Sequence, residues 1–471
     1  MRVVNFQRDD RLIEIGTMKW NLLPVLAVMT VLEIIMLTSH WGVLALDLYI
    51  LVLFVFFRPP RIFHPNTFVF GYYFLWLLLP SVIDFIFEMV DWVFVLPWGR
   101  LWYWGEISAG ALIQVQLTAT TLITLVHFAA RGQVSSIFNK GKHLHRSSLI
   151  QIAPISPLYI LSIGLACLFI FLSGGLDAWL TDYSYTFLTG RKGLGVLNFT
   201  LITVGSITIY LAGLKSFSGG KGWLGILPYL PVIMLLSFAG GMKSRFIILL
   251  ILFYVPYLIK VQASVPRLAR YIIIFLVVFY VLSLVRTGGF YSGLPRYLEM
   301  FLVYFNAIPL HDFLISMREP GIFETVHHIF VKPGQALGLI DPGADYDISV
   351  MLTKEFFPAQ WYDLFATQQW PVETDMYLNF YGGAFQIIPI SIYALAIGFL
   401  YRRAVLVGSF VLLPIAVLEM IRIVSTLRGT LIPWAFPVLI VQYSFMAIMI
   451  RLMVTSKFKK YSSTDLNHDE Q

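Results

Sequence analysis

Arginine and lysine side chains stand at the ends of several hydrophobic segments in the second half of the chain. They are Lys243 and Arg245 in one short turn, Arg286 at the end of an apolar run, Arg296 beyond it, and Arg422 and Arg428 around another turn. Cations near an apolar layer are costly unless they face a polar cavity or a partner. Guanidinium groups bind phosphate oxygens in pairs and stay charged at physiological pH. The set therefore predicts binding of a lipid-linked phosphate or pyrophosphate, and the alternative is snorkelling or pairing with nearby acids.

The composition is that of a polytopic membrane protein. Of 471 residues, 58% are hydrophobic and only 13% are charged, far from soluble-globular usage. The formal net charge of +7 does not indicate nucleic-acid binding, because the basic residues are scattered among loops. The single cysteine, Cys167, allows no disulfide framework. The first apolar run is long, contains Glu33 and follows four basic residues, so we expect a retained helix.

Hydropathy predicts an all-α fold with about twelve transmembrane helices. The predicted spans are residues 21–38, 41–57, 66–90, 106–129, 150–172, 195–214, 223–240, 246–260, 271–286, 375–400, 404–424 and 430–450. Lys and Arg accumulate in cytoplasmic loops, and most basic residues fall in alternate loops of this arrangement. Both termini are therefore predicted to be cytoplasmic.

A long polar stretch, residues 287–372, separates spans nine and ten, and we call it the outer segment. The chain thus divides into residues 1–286 with nine spans, the outer segment, and residues 373–471 with three spans and a cytoplasmic tail. Apolar residues recur at helical spacing from Pro295 to Met317, which predicts an amphipathic helix along the membrane surface. Its histidines include the adjacent pair His327 and His328, which do not share a helix face, so no metal site is expected.

Two acidic residues lie within the first predicted spans. Glu33 and Asp47 are equally far from the turn between those spans, at about 10 Å depth from 1.5 Å per residue. Side by side they would share a proton or face a polar cavity, as in a proton-coupled transporter. The alternative is a hydrogen bond between packed helices.

Several short stretches resemble the Wzy-type oligosaccharide repeat-unit polymerases. They are the turn from Gly240 to Arg245, the Arg286-Thr287-Gly288 helix end before a large outer loop, the return from Trp370 to Gly383 followed by Tyr401-Arg402-Arg403, and the turn with Arg428-Gly429. The resemblance covers mainly residues 230–435, and the first half is similar only in hydropathy.

The resemblance implies a membrane fold of the C-type glycosyltransferase class. It also implies transfer of a growing chain from undecaprenyl pyrophosphate to a new lipid-linked repeat unit, at the periplasmic face of the bacterial inner membrane. Such enzymes use neither nucleotide sugar nor metal, so no cofactor is expected. Partners would be the lipid-linked donor and acceptor, membrane lipids and, optionally, a chain-length regulator.

This chemistry assigns roles to particular side chains. Fixed cations stabilise a departing pyrophosphate, and we assign Arg245, Arg286 and Arg428 first, then Lys243, Arg296 and Arg422. The attacking hydroxyl benefits from a base, for which the candidates are Glu373, Asp375 and His311. Trp370, Tyr377 and Tyr381 are candidates for stacking on sugar rings or for the interfacial aromatic belt.

Two other functions are compatible with the sequence. An O-antigen ligase would use a similar fold and donor but transfer the glycan to a lipid core. A lipid-linked oligosaccharide flippase or transporter would also have about twelve spans, although such folds commonly contain internal repeats and none is visible here. A structural scaffold would leave the outward-facing cations unexplained.

Overall fold

The computed structural model describes most of the chain between residues 24 and 456. The described residues are 24, 27–38, 41–94, 107–135, 150–181, 183, 186, 190, 193–240, 243–286, 293–341, 343–363, 367–433 and 435–456. The basic residues that precede the first predicted span, and those after residue 456, lie outside these ranges.

Helices account for nearly all regular structure in the described ranges. The first half contains α1 (Ala27–Thr38), α2 (Gly42–Phe56), α3 (Pro65–Met89), α4 (Ala109–Ala129), α5 (Ser156–Leu172), α6 (Gly175–Thr181), α7 (Gly195–Ser218), α8 (Gly222–Ala239) and α9 (Lys243–Leu258). Proline stands in the first turn of α3 and α5, where its missing N–H leaves no helical hydrogen bond unmade.

The second half continues the same pattern with shorter helices in the outer segment. It contains α10 (Val265–Arg286), α11 (Leu294–Tyr304), α12 (Ala307–Met317), α13 (His328–Ala336), α14 (Ile348–Phe356), α15 (Pro358–Tyr362), α16 (Val372–Asn379), α17 (Gly383–Leu406), α18 (Leu413–Leu427) and α19 (Phe436–Met453). Two short strands, β1 (Ile150–Ile152) and β2 (Val454–Ser456), pair antiparallel.

The helix lengths are those of a membrane protein. Among the described residues, six helices are long and apolar enough to cross a bilayer: α3, α4, α7, α8, α17 and α19. The pairs α5–α6 and α11–α12 are bent by 76° and 43° and raise the number to eight if each pair is one span. A helix lies in each of the twelve intervals predicted as spans, and crossing by all twelve stays a prediction. Large apolar side chains such as Phe171 and Ile392 are exposed on outer helix faces, as expected of lipid-facing surfaces.

Contacts between loops group the ends of the helices into two sets. At one end, β1 before α5 pairs with β2 after α19, and Arg61 after α2 bridges to Gln262 after α9. At the other end, Trp92 after α3 donates to Glu299 of α11 at 2.9 Å, and Ser108 before α4 donates to Asp312 of α12. The loops predicted to share a membrane side therefore do contact one another.

The central helices pack closely around α4. Helix α17 runs along α4, and α3 lies against both α4 and α18. A Cβ added at Gly398 of α17 would come within 2.4 Å of the Ala129 Cβ, so the missing side chain permits the close approach. Helix α16 contacts α4, α18, the start of α17 and α12 of the outer segment.

The outer segment differs from the predicted single amphipathic helix. It forms α11 and α12 with a break at Phe305 and Asn306, and its apolar positions Phe301 and Ile308 are buried in the main core. The segment is helical in two pieces, and its apolar face packs on protein. Trp370 of this segment is fully buried and belongs to a smaller apolar cluster with Leu310 and Tyr377.

Glu33 and Asp47 bind different partners. The Gln116 amide donates to Glu33 at 2.9 Å, and the Ser81 hydroxyl donates to Asp47 at 2.6 Å. Each carboxyl thus accepts a hydrogen bond from a neighbouring helix, which is the alternative given for these two residues.

Candidate functional site

The candidate site is built on the short helix α16, which follows the outer segment. All eight of its residues are buried, including Glu373 and Asp375 in its first turn. An acid in the first turn is favoured by the helix dipole, which places positive potential there. After Asn379, three residues with positive φ, Tyr381, Gly382 and Gly383, turn the chain into α17.

The Glu373 carboxyl is buried without a hydrogen bond to the rest of the described chain. Its side chain is 1% exposed, and neither carboxylate oxygen has a partner among the described residues. The Thr118 hydroxyl of α4 interacts with it but falls short of hydrogen-bond geometry. Burial raises the pKa of Glu373 to about 8, against the smaller opposing effects of its own backbone N–H and Thr118. Glu373 is therefore largely protonated at neutral pH and, once ionised, is a stronger base than an ordinary carboxylate.

Two phenols interact with this carboxyl, and one of them also interacts with a guanidinium. The buried Tyr72 and Tyr73 of α3 both interact electrostatically with Glu373, and Tyr72 also interacts with Arg428. The Arg428 guanidinium carbon lies 5.8 Å from the centre of the Trp76 ring, which in turn stacks on Tyr72. A fixed cation and a buried acid therefore share one neighbourhood at the base of the outer segment.

Arg428 is also tied to the outer segment itself. Its Nη1 donates to the Gln369 side-chain oxygen at 2.9 Å, next to the fully buried Trp370. Any anion that binds Arg428 at this atom competes with Gln369.

Asp375 lies on another face of α16. It accepts from the Leu431 backbone N–H at 2.8 Å and from Asn379 at 2.7 Å. Burial raises its pKa to about 6, and these two hydrogen bonds limit the rise. Asp375 is therefore ionised at neutral pH and held in place.

His311 connects α12 to α16. Its Nδ1 shares a hydrogen bond with the Thr374 hydroxyl at 3.1 Å, and its Nε2 is buried without a partner in the described part of the chain. Tyr377 lies edge-on to this ring and donates its hydroxyl to the Arg318 carbonyl at 2.8 Å. Tyr381 is 55% exposed. Among the predicted aromatics, Trp370 and Tyr377 thus pack inside, and Tyr381 faces outward.

Two of the other predicted cations, Arg245 and Arg422, bind partners away from Glu373, and two have side chains that the structure does not describe. Arg245 is buried and donates to the Ile202 carbonyl at 2.5 Å and the Ser206 hydroxyl at 3.0 Å, both on α7. Arg422 forms an ion pair with Glu419 at 2.7 Å, and Arg296 is exposed. The side chains of Lys243 and Arg286 lie outside the described parts. Of the described cations in this set, Arg428, and neither Arg245 nor Arg422, therefore shares a neighbour with Glu373, the Tyr72 phenol.

Sequence reasoning did not find the contribution of the first half. Tyr72, Tyr73, Trp76 and Thr118 come from α3 and α4, and each has a buried polar atom without a hydrogen bond within the described ranges. A signal was present, because Gln114, Gln116 and Thr118 are polar residues within a predicted membrane span. In the described ranges, no three His, Cys, Asp or Glu side chains are grouped to hold a metal ion.

Comparisons with protein-family models, curated proteins and solved structures give no match to this chain.

Proposed function

We propose that this chain is a glycosyltransferase of the bacterial inner membrane that polymerises lipid-linked oligosaccharide repeat units. It transfers a growing chain from undecaprenyl pyrophosphate onto the terminal sugar of a new repeat unit, on the periplasmic side. The neighbourhood of Glu373 and Arg428 carries the proposal. Such a transfer needs a group that accepts the proton of the acceptor hydroxyl and a cation that stabilises the departing pyrophosphate. Glu373 and Arg428 supply these two groups in one site.

The buried acid suits the proton transfer. The acceptor hydroxyl attacks the anomeric carbon, its oxygen forms the new glycosidic bond, and its proton passes to ionised Glu373. A base is most effective when its pKa lies near the working pH, and burial brings the pKa of Glu373 to about 8. Thr118, whose hydroxyl faces the carboxyl, favours the ionised form.

The cation suits the leaving group. The bond between the anomeric carbon and the pyrophosphate oxygen breaks, and the electron pair leaves with the pyrophosphate. Arg428 is positioned by the Trp76 ring, and a phosphate oxygen that replaces Gln369 at its Nη1 receives a charged donor that stabilises this charge. The exchange of Gln369 for a phosphate oxygen would free the end of the outer segment when the donor binds.

Chain extension by the purified protein tests the proposal. The full chain in lipid nanodiscs is given lipid-linked repeat units purified from the producing cells, without nucleotide sugar, and products are separated as a ladder. Glu373→Gln is expected to slow extension by at least about 10²-fold, as for loss of a general base. Arg428→Ala is expected to slow it by about 10²–10³-fold. Glu319→Gln, which changes an exposed acid of the outer segment, serves as control.

The outcomes separate the proposal from its neighbours. Near wild-type ladders from both folded variants would overturn it. Transfer of glycan to a lipid core, with no ladder, would instead indicate a ligase. Movement of intact lipid-linked units across the membrane without new glycosidic bonds would indicate a transporter.

A further inference from the structure

A small cavity lies beside α16, on the face that Glu373 does not occupy. It measures about 20 Å³, is partly open, and lies between the outer segment, α16 and the turn after α18. Asp375 and Asn379 line it and are four residues apart, so they share one face of the helix. Glu373, two residues before Asp375, points away from that face. The cavity is therefore a neighbour of the Glu373 site.

Polar side chains from three elements line this cavity. They include Thr325, His328, Tyr346, Asp347, Asp375 and Asn379. Asn379 holds two walls together, because its Oδ1 accepts from the Thr325 N–H at 2.8 Å and its Nδ2 donates to the Thr325 hydroxyl at 2.7 Å. Asp347 caps α14 by accepting from the Val350 N–H at 2.8 Å. The lining is thus anchored by hydrogen bonds within the fold.

Unlike Asn379 and Asp347, His328 has a ring nitrogen without a hydrogen-bond partner in the described part of the chain. It is 4% exposed, and its Nδ1 has no hydrogen-bond partner among the described residues. Burial and the neighbouring His327 lower its pKa to about 4, so the imidazole is neutral at physiological pH. A buried polar nitrogen without a partner is unfavourable, and a ligand group that bonds to it recovers the missing hydrogen bond.

The size of the cavity limits what can enter it. A space of about 20 Å³ holds about one water molecule. A hydroxyl or hydroxymethyl group fits, whereas a sugar ring does not and would remain at the open side. A hydroxyl both donates and accepts, which matches an ionised carboxylate beside a neutral imidazole.

We propose that this cavity is a subsite that recognises one hydroxyl or hydroxymethyl group of the acceptor saccharide, through His328 and Asp375. The proposal rests on the proposed glycosyl transfer. It places part of the acceptor saccharide against the outer segment and the Asp375 face of α16, while Glu373 lies on another face of the same helix. The subsite selects which sugar is extended, because an acceptor without that hydroxyl leaves His328 unbonded.

The two adjacent histidines provide a matched test. In the extension assay, His328→Phe keeps an aromatic ring and removes its nitrogens, so KM for the acceptor repeat unit is expected to rise about tenfold or more, with kcat little changed. His328→Asn, which keeps a polar group near the Nδ1 position, restores part of the loss. His327→Phe changes the exposed neighbour and is expected to leave KM unchanged. Equal effects at both positions, or a fall in kcat alone, would overturn the subsite.

A second variant leaves every polar group in place. Ile432 lines the cavity and is 44% exposed, so Ile432→Trp blocks it by volume. Calorimetric titration of wild type and Ile432→Trp with the soluble repeat-unit oligosaccharide measures binding without catalysis. About tenfold weaker binding to the variant supports the subsite even if no ladder forms, which would then count against the polymerase only. Equal binding overturns the subsite even if Glu373→Gln abolishes extension.

Discussion

Burial without a hydrogen-bond partner disfavours an ionised carboxylate, and two acids of α16 show how partners change the outcome. Glu373 and Asp375 are both buried and only two residues apart. Asp375 accepts hydrogen bonds from Leu431 and Asn379, and its pKa rises only to about 6. Glu373 has no such partner in the described chain, and its pKa rises to about 8. One helix thus presents an ionised anchor on one face and a protonated acid on another.

The pKa of Glu373 predicts a specific pH dependence of stability. Its folded value of about 8 lies above the ordinary 4.5, so the folded state keeps a proton that the unfolded state has lost between those pH values. Stability is therefore expected to fall as pH rises through this window, at about 1.4 kcal/mol per pH unit where the difference is complete. Glu373→Gln cannot ionise, so its melting temperature should fall less than that of wild type between pH 6 and 8.

Asp375 provides the internal control for this measurement. Its raised pKa of about 6 contributes at lower pH and is the same in both proteins. Parallel melting curves of wild type and Glu373→Gln from pH 6 to 8 would show that Glu373 is ionised in the folded protein.

At the scale of elements, the turn between α16 and α17 sets the position of the site. Gly382 has φ 61°, and a Cβ there would lie 2.9 Å from the Tyr377 ring and 3.0 Å from the Gln114 side-chain oxygen. The turn is therefore pressed against α4, which carries Thr118. Gly383 also has positive φ, at 54°, but a Cβ there would meet no atom within 4 Å.

These adjacent glycines make a matched pair. Gly383→Ala is expected to carry only the backbone cost of a left-handed residue, about 1–2 kcal/mol. Gly382→Ala carries that cost and also pushes α16 away from α4, so its melting temperature and its chain-extension rate should both fall further. Equal melting temperatures for the two variants would contradict the close packing of this turn.

Some elements follow directly from the sequence, and others do not. Long apolar runs predict helices such as α4 and α7 because nearly every residue in them favours the same buried state. The break between α11 and α12 is indicated in the sequence by Pro309, which suits the first turn of a helix and not its interior.

No local sequence pattern predicts that Tyr72, Thr118 and Glu373 lie together, because their proximity depends on how α3, α4 and α16 pack. The partners of Arg245 were equally hidden, since a guanidinium bonded to α7 and one facing a ligand are indistinguishable in sequence.

At the scale of the whole molecule, the contacts between loops divide the helix ends into two faces. Ser108 and Asp312, Trp92 and Glu299, and Arg428 and Gln369 all lie at the end that carries α16. The other end joins β1 to β2 and Arg61 to Gln262. The candidate site therefore belongs to one face of the bundle, and its access depends on which side of the membrane that face occupies.

Charge predicts that the α16 face is periplasmic, and the lone cysteine makes this testable. Cys167→Ser removes the native thiol, and Glu319→Cys or Lys221→Cys then places a single exposed thiol at the α16 end or in the turn after α7. Basic residues accumulate in cytoplasmic loops, and Lys221, which follows Lys215 at the end of α7, lies in a loop predicted to be cytoplasmic. A membrane-impermeant maleimide should therefore label Glu319→Cys in intact spheroplasts and label Lys221→Cys only after lysis. The reverse pattern would place the Glu373 site in the cytoplasm, where a periplasmic acceptor cannot reach it, and would exclude the proposed polymerisation.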